Sequence, residues 1–179
     1  MEIIRTDRLE LVPLLAAFVD AVRQGDRAAA ERAIGARVSR WLMREPSHLV
    51  QLLLAQSGPG AGGPGVVGWL VVAVGRSGRR RVIGSAGFHG PPDERGRLEI
   101  GCVIEPASRR RGYAAEAMRT LVLRAVEDLG ITRFVVAVPS ILGSSGGTAL
   151  EIGYGPADWP GDTLRALLGE PARTRPPAR

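Results

Sequence analysis

The sequence predicts an α/β domain, and three observations carry that prediction. A strand, a short basic loop, an amphipathic helix and a second strand follow one another across 98–138. Two apolar, β-branched runs, 66–74 and 82–88, are separated by a basic turn with Gly at its tip. Helical periodicities fill the stretch before them, from Leu14 to Leu53. Strands joined by a tight turn pair antiparallel and strands joined by a crossover helix pair in parallel, so a chain with both signals reads as helices packed on a sheet.

The run Arg8-Leu9-Glu10-Leu11-Val12 alternates polar and apolar residues, the period of a half-buried strand, and Pro13 ends it. Residues 14–22 are expected to be helical, with Leu14, Leu15, Phe18, Val19 and Val22 on one face. Asp26 has the short acceptor side chain of an N-cap for the segment 27–34, which Gly35 halts. Trp41, Leu42 and Met43 suggest a short helical segment, and Leu49, Leu52 and Leu53 beyond Pro46 a further helix. The stretch 57–65 is almost wholly Gly, Pro, Ala and Ser, an exposed flexible connection. Runs 66–74 and 82–88 then form a hairpin, whose Arg79, Arg80 and Arg81 are expected on a solvated flank. A turn at 90–96 leads to the strand 98–104, which Pro106 stops because it cannot donate to a ladder. From Ala114 the apolar positions Ala117, Met118, Leu121, Val122, Ala125, Val126 and Leu129 recur at helical steps, and Gly130 stands where a left-handed C-cap is wanted. Residues 134–138 make the last strand of this unit.

The junction Ile104-Glu105-Pro106-Ala107-Ser108-Arg109-Arg110-Arg111-Gly112-Tyr113-Ala114 is the most informative stretch. A helix start offers unpaired backbone N–H groups and the positive end of a macrodipole of roughly half a charge, here beside three guanidinium groups. Gly112 lets an anion approach the backbone closely, since no Cβ intervenes. A phosphate would sit at this junction. A Walker-type loop is excluded, because the chain contains no Lys at all.

The pattern Arg109-x-x-Gly112-x-Ala114, with a strand before it and an amphipathic helix after it, resembles the acyl-CoA pyrophosphate motif Gln/Arg-x-x-Gly-x-Gly/Ala of the GNAT superfamily of N-acyltransferases. Glu99-Ile100-Gly101 and the opening Thr6-Asp7-Arg8-Leu9-Glu10-Leu11-Val12-Pro13 resemble the branch that contains ribosomal-protein N-terminal acetyltransferases, so the likeness extends over 1–154. It implies a mixed, mostly antiparallel central sheet flanked by helices. It also implies acetyl-CoA as co-substrate without a metal, and direct transfer of the acetyl group to a primary amine, a protein N-terminus or a small molecule, in a ternary complex. By the same resemblance, the strand 98–104 splays from the strand 134–138, and backbone groups of Cys102, Val103 and Ile104 would bond the pantetheine arm between them. The pyrophosphate would rest on the amides of Arg109, Arg110, Arg111, Gly112, Tyr113 and Ala114, with the side chains of Arg109 and Arg111 pairing it. A backbone N–H near Cys102 or Val103 would polarise the thioester carbonyl. Ser145 would occupy the Ser position of the family's following segment, and the helices within 14–53 would shape the acceptor pocket.

An amine acceptor must lose a proton before it attacks, since an amine with a pKa of about 10.4 is neutral only to about one part in a few thousand at pH 7. Glu99 is the candidate base, directly or through water; its competing role is a carboxylate facing solvent or bound to Arg97. Cys102 as an acyl-accepting nucleophile would need a His activator. Only His48 and His89 exist, and nothing in the sequence places either beside it, so a buried inert thiol is the expectation. No His, Cys or Asp cluster has metal-ligand spacing.

The family pattern departs after the second strand. Its Asn is missing from the run 139–145, and Gly143, Gly146 and Gly147 weaken any helix there by up to about 1 kcal/mol each relative to Ala. Tyr154 falls at a packing position, so no general acid is assigned. Residues 155–179 carry no alternating strand pattern, only a short helical stretch at 162–168. Either the sheet is truncated, or a second copy completes its edge as a homodimer, or this quarter has diverged. The alternative reading of the whole is a non-catalytic acyl-CoA-binding or protein-interaction module.

Length and composition bound these readings. A chain of 179 residues that is 45% apolar makes one domain, placed at 1–170, with a Pro- and Arg-rich tail at 171–179 expected to be disordered. The longest apolar run, 66–74, is too short for a bilayer, no basic segment precedes an apolar one at the N-terminus, and one cysteine allows no internal disulfide. A cytoplasmic protein without membrane contact is expected. The net charge of +6 is half tail, since 171–179 carries three Arg and no acid. The absence of Lys and Asn points to a GC-rich coding sequence, and the few aromatics do not interleave with the basic loops, which argues against a nucleic-acid partner.

Overall fold

The computed structural model describes residues 2–57, 68–138 and 148–153. In chain order these form β1 (Ile4–Arg5), β2 (Leu9–Pro13), α1 (Ala16–Arg23), α2 (Arg27–Ile34), β3 (Arg37–Val38), α3 (Arg40–Arg44), α4 (Ser47–Ser57), β4 (Gly68–Val74) and β5 (Arg80–Phe88). They continue through β6 (Arg97–Ile104), a 3-10 turn (Pro106–Ser108), α5 (Tyr113–Leu129), β7 (Arg133–Val138) and β8 (Thr148–Gly153). One sheet holds every strand in the order β1-β2-β4-β5-β6-β7-β8, with β3 lying beside β5. All neighbours are antiparallel except β6 with β7 and β3 with β5, so the sheet is mixed and mostly antiparallel.

Helices cover both faces, each against its own apolar cluster. On one face Ala117, Met118, Leu121, Val122 and Ala125 of α5 pack on Leu11, Val71, Ile100 and Phe134. On the other, Phe18 and Val22 of α1, Ala30 of α2 and Leu49 and Leu52 of α4 pack on Leu70, Val72 and Val82. The caps follow the sequence signals: Asp26 Oδ1 accepts from the Ala29 N–H at 2.8 Å, and Gly35 and Gly130 end α2 and α5 with φ of 61° and 66°.

Several expectations are corrected. Leu15 is not on the buried face; it precedes the first turn of α1 and is 43% exposed, leaving Leu14, Phe18, Val19 and Val22 as the core positions. Pro13 does not lie beyond its strand but pairs with Trp69 as its last residue. The basic hairpin run is only in part a solvated flank: Arg79 is exposed, but Arg80 binds Glu10 at 2.7 Å and the carbonyls of Ile34 and Gly35, and Arg81 reaches Glu105 at 2.6 Å. β8, which the sequence reading did not include, pairs along its whole length with β7; residues 155–179, where truncation, a partner copy or divergence were the alternatives, lie outside the described residues. Ser145, Tyr154, 58–65, 162–168 and 171–179 lie outside the described residues. Among the described residues no helix is long and apolar enough to cross a membrane.

The feature that positions a site is a broken ladder. β6 and β7 run parallel and in register from Arg97 with Arg133 to Ile100 with Val136, and there the pairing stops. β6 continues to Ile104 held only by β5, while β7 continues held only by β8. A wedge opens between them, and α5 starts shortly beyond its mouth.

Candidate active site

The chain enters α5 through a reversal that leaves its first amides free. Arg110 and Gly112 both adopt left-handed backbone, with φ of 61° and 77°, and among the described residues Arg110 is the non-glycine that does so. Gly112 is the N-cap and offers no side-chain acceptor. The first N–H bonded within the helix is that of Glu116, which donates to the Gly112 carbonyl at 3.0 Å. The N–H groups of Tyr113, Ala114 and Ala115 thus have no intrahelical partner and sit at the positive end of the helix dipole. Arg110 and Arg111 are exposed beside them, whereas Arg109 turns back and its Nε donates to the Ile104 carbonyl at 2.8 Å.

Two polar clusters hold this reversal in place. Below it, the buried Glu105 accepts from Ser108 Oγ at 2.7 Å and lies 2.6 Å from Arg81 Nη2, which also donates to Ser108 Oγ. A carboxylate 2% exposed is tolerated there because its charge is paired with Arg81 and its Oε1 also accepts from Ser108. Beside it, Glu116 in the first turn of α5 accepts from Thr6 Oγ1, from the Arg8 backbone N–H at 3.1 Å and from Arg8 Nε at 2.7 Å. Arg8 also donates to the Arg111 carbonyl at 2.8 Å, and its guanidinium carbon lies 4.8 Å from the centre of the Tyr113 ring. The opening Thr6-Asp7-Arg8 run is therefore a strap across the start of α5. Sequence reasoning missed this role, because its partner lies 110 positions away.

Along the wedge, β6 alternates its backbone between its neighbours. Glu105 N–H donates to Ile83 and His89 N–H donates to the Glu99 carbonyl, at 2.8 and 2.9 Å, so the odd-numbered residues between them face β5. The backbone of Val103 is thus directed to Ser85, whereas that of Cys102 and the N–H of Ile104 face the opening that β7 has left. Side chains alternate too: Cys102 packs on the α5 side, where burial pushes its thiol up to about 12, so it stays protonated and inert at neutral pH.

The opposite face of the same strand is polar. Glu99 projects from β6 and its Oε1 lies 3.0 Å from Nδ1 of His89, which follows the last residue of β5. Arg97, its rival partner, binds Asp93 at 2.7 Å. The Arg97 guanidinium and the backbone N–H groups of Arg97 and Arg95 hold the Asp93 carboxyl down at about 2, and these bonds close the turn that sets His89 opposite Glu99. His48 of α4 meets His89 edge to face, ring centres 5.7 Å apart, and its Nδ1 lies 2.7 Å from Oγ of the buried Ser85. Burial, and then the neighbouring His89, lower His48 to about 4, so its ring is neutral at pH 7. The structure thus brings His89 to Glu99 and His48 to His89, on the face of β6 opposite the Cys102 thiol. A period-two reading of 85–89 and 99–103 across their turn was the signal that could have found Ser85, His89 and Glu99 together; His48 gave none. No group of three or more His, Cys, Asp or Glu among the described residues could hold a metal ion.

Comparison with known proteins places this geometry in a family. The family model described as an acetyltransferase (GNAT) domain matches residues 8–142. The N-acetyltransferase YjdG of Bacillus subtilis strain 168, itself uncharacterized, is 26% identical over 137 residues, covering 74% of this chain and 77% of that protein. A crystal structure of an acetyltransferase from Agrobacterium tumefaciens is 26% identical with a TM-score of 0.48, covering 78% of this chain and 76% of that one. RimL, a ribosomal L7/L12 alpha-N-protein acetyltransferase solved in complex with coenzyme A, is 18% identical with a TM-score of 0.48, covering 78% and 77%.

Proposed function

Because the chain belongs to the GNAT acetyltransferase domain family, whose members are acetyl-CoA-dependent N-acyltransferases, we propose that it passes the acetyl group directly to a primary amine in a ternary complex at the wedge between β6 and β7. The observation that carries this reading is the juxtaposition of the broken β6–β7 ladder with the uncapped start of α5. One offers unpaired strand backbone to an extended pantetheine arm, the other unpaired amides to a pyrophosphate.

In this reading the N–H groups of Gly112, Tyr113 and Ala114 cradle the pyrophosphate, and Arg110 and Arg111 neutralise it from the exposed side. Arg109 fixes the loop to the end of β6 through Ile104. The backbone of Cys102 and Ile104 aligns the arm, the N–H of Cys102 faces the oxygen on which charge develops, and Val103 supports that alignment through β5. Ser145 is a proposed contact to coenzyme A by its place in the family pattern. Glu99 stands on the acceptor side of the strand, on the face where the amine must lose its proton before it attacks. The acceptor is a protein N-terminus or a small-molecule amine, and the cytoplasm, where acetyl-CoA is available, is the proposed location.

Calorimetric titration with acetyl-CoA and CoA, followed by a screen for amine-dependent CoA release, tests the reading. Stoichiometric binding is expected, weakened about tenfold or more in an Arg110→Ala/Arg111→Ala variant, since charge-assisted bonds contribute about 1.5–3 kcal/mol each. Glu99→Gln should cut turnover and leave acetyl-CoA affinity unchanged. A chain that binds neither ligand sinks the proposal.

A further inference from the structure

The chain has two histidines, and the fold sets both over one glycine. A Cβ on Gly101 would stand 2.7 Å from His89 Cε1, 3.2 Å from His89 Nε2 and 3.6 Å from His48 Nε2. Gly101 does not have positive φ, so what the position requires is space for these rings rather than an unusual backbone. A carboxylate oxygen can only accept, so the 3.0 Å contact to Glu99 puts the hydrogen of a neutral His89 on Nδ1. Its Nε2 then carries a lone pair, and that buried atom has no hydrogen-bond partner. Buried acceptors are normally satisfied, and among the described residues this nitrogen is the exception. The remaining neighbour, His48, is neutral and tied to Ser85, and so does not oppose a positive charge on His89.

We propose that Nε2 of His89 is the atom that takes the proton from the acceptor amine, with Glu99 as the residue that orients and charge-compensates its imidazole. This rests on the acetyl-transfer reading and deepens it: Glu99 acts through His89 and is a positioning residue, and His89 is the catalytic one. The ammonium gives one proton to Nε2, which frees its lone pair; Nδ1–H stays on the ring, and the imidazolium faces the Glu99 carboxylate. The lone pair forms the N–C bond, the C–S bond breaks with its electrons on sulfur, and the second amine proton goes to that thiolate. Once the product leaves, Nε2 gives its proton to solvent, which restores the Nδ1–H tautomer that Glu99 holds.

Nitrogen-15 NMR of the full chain and steady-state kinetics test this together. The His89 ring is expected as the Nδ1–H tautomer with Nε2 unprotonated, a preference lost in Glu99→Ala; an Nε2–H tautomer in the wild-type chain overturns the proposal. With an amine found by the release screen, His89→Ala should lower kcat about 100-fold with acetyl-CoA affinity unchanged, and added imidazole should restore part of it. His89→Gln, of similar size, guards against a misfolded Ala variant and should be equally slow. Transfer that survives both substitutions overturns the role of His89 alone. A wild-type chain that binds acetyl-CoA but transfers to no amine overturns the acetyl-transfer reading and this one with it.

Discussion

The two ends of the β6–β7 wedge are built from different materials. At the start of α5 the groups offered to a ligand are backbone amides of consecutive residues, and the side chains around them, Glu105 with Arg81 and Glu116 with Arg8, serve to hold that backbone still. At Glu99 the groups offered are side chains, delivered by β5, β6 and α4, and here the backbone contributes by what it lacks, the Cβ of Gly101. A backbone cradle tolerates exchange of the residues within it so long as their dihedrals persist. A side-chain cluster tolerates almost none, because each ring sits against another. In the proposed function the first end binds and the second reacts.

That division is sharpest at two glycines. Gly101→Ala should be the most damaging small substitution: the His89 ring must yield to the new Cβ, so kcat should fall about 100-fold while acetyl-CoA affinity stays near wild type, with overpacking costing about 1–3 kcal/mol of stability. Kinetics beside calorimetry checks this, and an effect on binding alone would break the contrast. A pH titration of stability probes the same end. His48 is lowered to about 4 by the fold, so between that value and 6.5 the unfolded chain binds a proton that the folded chain refuses. Stability should therefore rise with pH across this window, losing about 2 kcal/mol on acidification from pH 7 to 5, and His48→Gln should flatten the limb in urea melts. The smallest effect is expected at the other end. Gly112→Ala keeps the amides but forces a side chain into left-handed backbone at a cost of about 1 kcal/mol, so acetyl-CoA affinity should drop several-fold with kcat at saturation unchanged.

The contrast between the ends also explains what could be read in advance. The anion cradle was legible because Arg109 to Ala114 is contiguous, and the periodicity from Ala117 to Leu129 fixes where the helix starts. Glu99 was legible as an acid on the strand, but its partner was not: the sequence suggested solvent or Arg97, whereas the structure sets Arg97 on Asp93 and His89 on Glu99. The strand β8 escaped notice because Thr148 to Gly153 is short and follows a glycine-rich run, so that what makes it a strand is the free edge of β7 rather than its own composition.

By itself the sequence determined the longer elements other than β8, the caps of α2 and the end of α5, the α/β class and the basic loop ahead of α5, since each depends on interactions within a few residues. Only the tertiary structure decided that β6 parts from β7 after Ile100, that Thr6 and Arg8 strap Glu116, and that His48 and His89 share the space above Gly101. Contacts between residues far apart in the chain follow from which faces pack together, and packing is set by the whole core at once.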